Sequence, residues 1–129
     1  MDENQISKQI VDAAIKVHSA LGPGLFESVY EQVLCRELES RNLSVERQAP
    51  VSIRYDGMTF DDAFRADLIV NGKVIVEIKS VEHLLAVHNK QLLTYLKLSG
   101  IKLGLLINFG TSHLKDGIER LINGKIELT

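Results

Sequence analysis

The chain reads as an α/β domain, a mixed β-sheet flanked by helices in the order α-α-β-β-β-α-β-α. Three observations lead there. Residues 5–41 repeat apolar side chains at helical spacing, and residues 45–55 alternate apolar and polar side chains as strands do. Residues 102–109 are apolar without alternation, as in a strand covered on both faces. Elements that each carry one apolar side must pack as layers, and this order suits a single sheet with helices against it.

Ile6, Ile10, Ala13, Val17 and Leu21 share one face of a first helix over about residues 5–21, which Gly22-Pro23-Gly24 ends. A second helix covers about 25–41 with Val29, Val33, Leu34 and Leu38 inward, and Asn42 stops it. Val45, Val51, Ile53 and Tyr55 then alternate as a strand or strand pair, with Pro50 marking an edge or a bulge. Asp56-Gly57 is a turn into residues 58–60, and two apolar strands follow at 65–70 and 74–79. A helix over 81–98 closes at Ser99-Gly100. The strand 102–109 comes next, and a last helix is expected over 112–122, followed by a short strand-like tail at 125–128.

The two central strands hold two acids and a lysine that apolar strands normally exclude. Charged side chains are depleted from half-buried strands and are seldom buried without a partner or a metal. Parity sets their geometry. A two-residue turn at Asn71-Gly72 would put Asp67 and Glu77 on opposite faces and mix charge into both apolar sides. A three-residue loop, Asn71 to Lys73, pairs Val70 with Val74. It gathers Phe64, Ala66, Leu68, Val70, Val74, Val76 and Ile78 on one face, and leaves Asp67 directly opposite Glu77 on the other. A slip of one residue flips a whole strand, so the apolar pattern selects the second register. Opposed Cβ atoms lie about 4.5–5.5 Å apart, close enough for two carboxylates to share one cation.

With 129 residues the chain is one domain, 1–129, large enough to bury about two-thirds of its unfolded surface. No apolar run approaches the roughly 18 residues of a membrane span, and the polar start (Asp2, Glu3, Asn4, Gln5) reads as no secretory signal. Cys35 is the only cysteine, which leaves neither a disulfide framework nor a thiolate zinc site and fits a reducing, cytoplasmic setting. A net charge of −2 argues mildly against tight sequence-independent nucleic-acid binding. Arg54, Arg65, Lys79, Lys90, Lys97 and Lys102 could still gather locally, and cations at the carboxylates would offset part of the acidity.

Asp67, Glu77 and Lys79 are the principal candidates. Mg²⁺ takes oxygen ligands and usually only one or two carboxylates, keeping places for water and a substrate phosphate. Asp67, Glu77 and the Ile78 carbonyl meet that need, and Lys79 on the same strand face can serve an attacking water or the charge on phosphorus. Glu27 falls within about 20° of Leu34 and Leu38 around the second helix and so points to the core side as a third acid. Glu31, one turn on, is its rival, and Tyr30 reads as core. Gln91 and Tyr95 share a face of the later helix and could support the site. His18, His83, His88 and His113 lack metal-ligand spacing and read as surface or capped histidines, and Cys35 reads as core.

Gly24-Leu25-Phe26-Glu27-Ser28-Val29-Tyr30 resembles the signature of the GxxExxY proteins, assigned to the PD-(D/E)XK nuclease superfamily. Asp67, Glu77-Ile78-Lys79 and Gln91-Leu92-Leu93-Thr94-Tyr95 resemble the remaining motifs, the last being the Q-x-x-x-Y element of the RecB-like and lambda-exonuclease-like branch. Ala66 stands where the motif's first letter has proline. The resemblance implies a restriction-endonuclease-like core and Mg²⁺-dependent hydrolysis of DNA phosphodiesters, with Mn²⁺ able to substitute. It places metal at Asp67 and Glu77, assigns Lys79 to the nucleophilic water, Glu27 to the acidic site, and Gln91 and Tyr95 to its support. A homodimer or a partner protein would supply further grip on DNA. The competing reading is a non-catalytic nucleic-acid- or protein-binding module that keeps the fold.

Overall fold

Asp2 caps the first helix: its carboxylate accepts from the Gln5 amide at 2.8 Å, and the Gln5 side chain accepts from the Asp2 amide at 2.9 Å. In the computed structural model, which describes residues 1–125, helix α1 (Glu3–Leu21) buries Ile6, Ile10, Ala13, Ala14 and Val17 along the expected stripe. Leu21, on the same stripe, is exposed where the helix ends. His18 is buried rather than on the surface, with Nε2 2.8 Å from the Thr111 carbonyl.

Helix α2 (Glu27–Ser40) buries Tyr30, Glu31, Leu34, Cys35 and Leu38. Val33, expected inward, lies off that face and is exposed, while Glu31 takes an inward place. Burial and the neighbouring Glu39 carboxylate push the Cys35 thiol up to about 11, which makes it an inert core group. Tyr30 locks the link between the helices. Its hydroxyl donates to the Gly22 carbonyl at 2.5 Å and accepts from the Leu25 amide at 3.2 Å, while its ring stacks on Phe109 with centroids 4.4 Å apart. Tyr30→Phe keeps the ring but orphans both backbone groups. It should cost about 1–2 kcal/mol, measured by urea denaturation, and an unchanged midpoint would show that the hydroxyl holds nothing.

Five strands form one sheet in chain order: β1 (Val45–Tyr55), β2 (Met58–Val70), β3 (Val74–Lys79), β4 (Leu103–Asn108) and β5 (Ile118–Ile122). Only β3 and β4 run parallel, and helix α3 (Ala86–Ser99) provides the crossover such a pair requires. The segments expected at 58–60 and 65–70 are one continuous strand, irregular near Asp62, which has φ 54°. Asp56 and Gly57 both have positive φ and make the two-residue turn between β1 and β2. Asn71 to Lys73 form the three-residue loop, and Val70 pairs with Val74.

Leu68, Val70, Val74, Val76, Ile78, Leu103, Leu105 and Ile107 pack with α1 and α2. Ala49, Ala66, Ile69, Ile75 and Leu106 pack with Leu92 and Leu96 of α3, and Phe64 stacks on Tyr95, so Phe64 and Ala66 lie on the α3 side rather than with Leu68 and Val70 as expected. All six residues of β4 are buried, as an unalternating run implies.

Two expected helices are also corrected. The helix expected from residue 81 starts only at Ala86 because Val81 is held elsewhere: its amide donates to the Asn108 side chain and its carbonyl accepts from it. The last helix expected over 112–122 is instead a 3₁₀ turn at Leu114–Gly117 followed by β5. There Ile118 pairs with Ile107 and Ile122 with Leu103. Leu114, Ile118 and Leu121 suit helical spacing, but an unpaired β4 edge leaves backbone groups unmet, and pairing outweighs local pattern. Among the described residues the element order thus ends α-β-β rather than α-β-α. The tail expected at 125–128 lies, beyond Lys125, outside the described residues.

Candidate active site

The ladder between β2 and β3 ends at Leu68 and Val76. One step further, where Asp67 faces Glu77, side chains replace backbone bonds. The Asp67 amide donates to Glu77 Oε1 at 3.3 Å, and the Ile78 amide donates to Asp67 Oδ2 at 2.8 Å. Both acids therefore sit in one opening between parting strands, as the parity argument expects.

Burial, then the nearby Asp67 charge and its hydrogen bond, push Glu77 up to about 8, against an opposing pull from the Asp67 amide and from Lys79. That shift favours the protonated form of Glu77 at neutral pH. Lys79, half-buried, follows on the same strand face, and its carbonyl is held by the Phe109 amide at 2.8 Å. Its ammonium makes no ion pair among the described residues.

On α3, Gln91 Nε2 donates to the Tyr95 hydroxyl at 2.7 Å, so the one-turn spacing does bring them together. The Tyr95 ring lies flat on Phe64 of β2, centroids 3.9 Å apart. Burial, followed by the charge of Glu77, raises the phenol above its ordinary range, which places Tyr95 in the electrostatic reach of the acids.

Glu27 is placed otherwise than expected. It has the angular phase of Leu34 and Leu38, but its side chain is exposed at the very start of α2. It lines a cleft of about 660 Å³ with Gly24, Phe26, Ser80 and Gly110. Glu31 is the buried acid of α2: only 6% exposed, it accepts from Arg47 Nη2 at 3.0 Å and from Gln48 Nε2 at 2.5 Å. The same Gln48 nitrogen lies 3.3 Å from Asp67 Oδ1, joining the two acids. Arg47 and Gln48 have no signature in the sequence; only the strand register reveals them.

Among the described residues no group of three or more His, Cys, Asp and Glu side chains stands close enough to enclose a metal. Two carboxylates facing each other, one of them pushed toward its protonated form, nevertheless fit a divalent cation that keeps most of its water, since the cation can displace the Glu77 proton. That is the fit the donor set allows.

A mixed sheet between helices, opening at a paired-acid site, defines the restriction-endonuclease-like class of α/β folds. The sequence profile of the PD-(D/E)XK nuclease superfamily matches residues 4–121, and the chain belongs to that superfamily. Among solved structures, the crystal structure of SSO0001 is similar with a TM-score of 0.50 and 27% identity, covering 78% of this chain and 52% of its own. The chain thus spans about half the length of that solved chain. No curated protein matches it. No helix among the described residues is long and apolar enough to cross a membrane.

Proposed function

We propose that the chain is a divalent-metal-dependent nuclease that hydrolyses DNA phosphodiester bonds, Mg²⁺ being the ordinary ion and Mn²⁺ a substitute. The carrying observation is the pair Asp67–Glu77 at the parting of β2 and β3, with Lys79 two residues along the same face. Asp67, Glu77 and the Ile78 carbonyl would hold the ion. When bound, such an ion offsets charge on the phosphate and makes water a better nucleophile.

Lys79 Nζ, which makes no ion pair among the described residues, orients the attacking water and donates to the phosphate oxygen that gains charge. A water oxygen forms the new bond to phosphorus as the bond to the leaving oxygen breaks; the water gives up a proton and the leaving oxygen gains one. Gln91 donates to the Tyr95 hydroxyl and fixes it within the electrostatic reach of the acids. Glu27 stands on the cleft wall beside Ser80, which follows Lys79 in the chain, and serves as a rim acid, while Glu31 is the α2 acid tied to Asp67. The Gly24–Tyr30 segment and the Gln91–Tyr95 pair support placement among GxxExxY proteins and the RecB-like branch. A reducing cytoplasmic setting and a homodimer, or a partner that extends the grip on DNA, complete the reading.

The test is cleavage of labelled single-stranded, duplex and four-way-junction DNA with Mg²⁺, Mn²⁺ or EDTA, by the native chain and Lys79→Ala. Cleavage that needs the ion and falls about 10²- to 10³-fold or more in Lys79→Ala supports the reading. Metal-dependent cleavage surviving in the variant would sink it. The Glu31–Arg47 ion pair gives a second reading some ground, since it neutralises an acid near the site without any metal. A binding module of that kind would retain DNA or protein binding with no thermal response to Mg²⁺ or Mn²⁺.

A further inference from the structure

Gln48 sits in the middle of an edge strand with φ 49°. The other non-glycine residues with positive φ among those described are Asn42, Asp56, Asp62 and Asn71, whose short polar side chains tolerate the left-handed region. Gln48 has no such excuse. A bulky residue held in a disfavoured conformation persists only where its surroundings over-determine it, and such residues cluster at functional sites.

What this backbone kink achieves is visible in the register. Arg47 pairs with Leu68 and Ala49 with Ala66, so Gln48 falls opposite Asp67, yet it is missing from the ladder. Arg47 opposes Leu68 on the side of α1 and α2, where it meets Glu31. In a flat strand Gln48 would point to the α3 side with Asp67. The left-handed turn of its backbone instead lets one amide nitrogen reach Glu31 Oε1 at 2.5 Å and Asp67 Oδ1 at 3.3 Å, so a single group spans both sides of the sheet edge. Asp67 Oδ2 is already occupied by the Ile78 amide. Gln48 therefore restrains the second oxygen.

We infer that Gln48 is a positioning residue: its amide fixes the rotation of the Asp67 carboxylate and docks Glu31 beside it, so that the site offers a divalent cation a preset arrangement. Both uses of the nitrogen are donations to carboxylates, and a glutamine, unlike a lysine, supplies them without adding charge that would repel the ion. This inference rests on the proposed function, because it concerns the same acids.

Mn²⁺ binding to the full chain, measured by calorimetry and by thermal shift, tests it without any substrate. Gln48→Gly keeps the left-handed backbone and removes the amide; Gln48→Asn tolerates the backbone but is one methylene too short to bridge. Both variants should melt no lower than the native chain without metal and bind Mn²⁺ about 10- to 100-fold more weakly, the range for lost supporting contacts at metal sites. A merely structural role predicts the reverse, a lowered melting temperature with unchanged affinity. If the native chain binds Mn²⁺ and both variants bind it equally well, the inference about Gln48 is overturned and the proposed function stands. If the native chain binds no Mn²⁺, the proposed function falls and takes the inference with it.

Discussion

Glu77→Gln is expected to abolish metal-dependent cleavage and yet to make the metal-free protein more stable at alkaline pH. In the folded chain Glu77 keeps its proton to about pH 8, against 4.5 for an ordinary glutamate, first because it is buried and then because Asp67 faces it. Between those values the folded state binds more protons than the unfolded one, so stability falls as pH rises through that window. Below it both states are neutral at this position and there is no penalty. Above it the folded chain carries a buried carboxylate beside another one. Holding a proton one pH unit beyond its ordinary range corresponds to roughly 1.4 kcal/mol, so the penalty at pH 9 amounts to several kcal/mol. Glutamine cannot ionise, and its stability curve lacks this slope. At pH 9, with EDTA present, the variant should melt at least about 5 °C above the native chain, and at pH 4 the two should nearly coincide. A bound cation works on the native chain in the opposite sense, displacing the proton. Mn²⁺ should therefore stabilise the native chain increasingly as pH rises and leave Glu77→Gln unmoved. Equal melting of the two proteins at pH 9 without metal would show that the proton is not held there.

The acid pair was readable because strand parity is unforgiving. Once Val70 pairs with Val74, the residues Leu68, Val70, Val74, Val76 and Ile78 share a face and Asp67 and Glu77 meet on the other, although Phe64 and Ala66, expected with them, lie on the α3 side. The spacing of Gln91 and Tyr95 was readable for the same kind of reason, since a helix turn fixes who stands beside whom. What periodicity could not show was depth. Glu27 and Glu31 lie one turn apart in the same broad phase, and only the position of the sheet edge leaves the first in water and covers the second. The last helix expected over 112–122 failed for a related reason: the open edge of β4 is a non-local demand that no short window contains. Gln48 was invisible because its backbone conformation, not its identity, carries the meaning.

Gly110→Ala should be the most damaging single methyl added to the chain. A Cβ at this position would come within 2.3 Å of the Val81 carbonyl oxygen and 2.7 Å of its amide nitrogen, both backbone atoms that cannot swing aside. The contact is tight because a buried side chain pins the same two groups. Asn108 Oδ1 accepts from the Val81 and Gly110 amides at 3.0 Å each, and its Nδ2 donates to the Val81 carbonyl at 2.9 Å. Asn108 is also the β4 residue paired with Lys79, so this clamp fixes the chain directly after the candidate catalytic lysine. Forcing Val81 away must stretch or break those bonds, and the loss should be about 2–4 kcal/mol, by overpacking and unmet backbone groups together. Asn108→Ala removes the clamp without adding volume and should lose a comparable amount by the second route alone. Hydrogen exchange separates the consequences. In Gly110→Ala the amides of Val81 and Phe109, the latter bound to the Lys79 carbonyl, should exchange faster while those of α1 stay protected. Cleavage should then fall further than the loss of folded protein explains, because Lys79 loses its fixed support even in molecules that remain folded. If Gly110→Ala melts and exchanges as the native chain does, residues 80–85 are not anchored to β4, and the placement of Lys79 must be held by β3 alone.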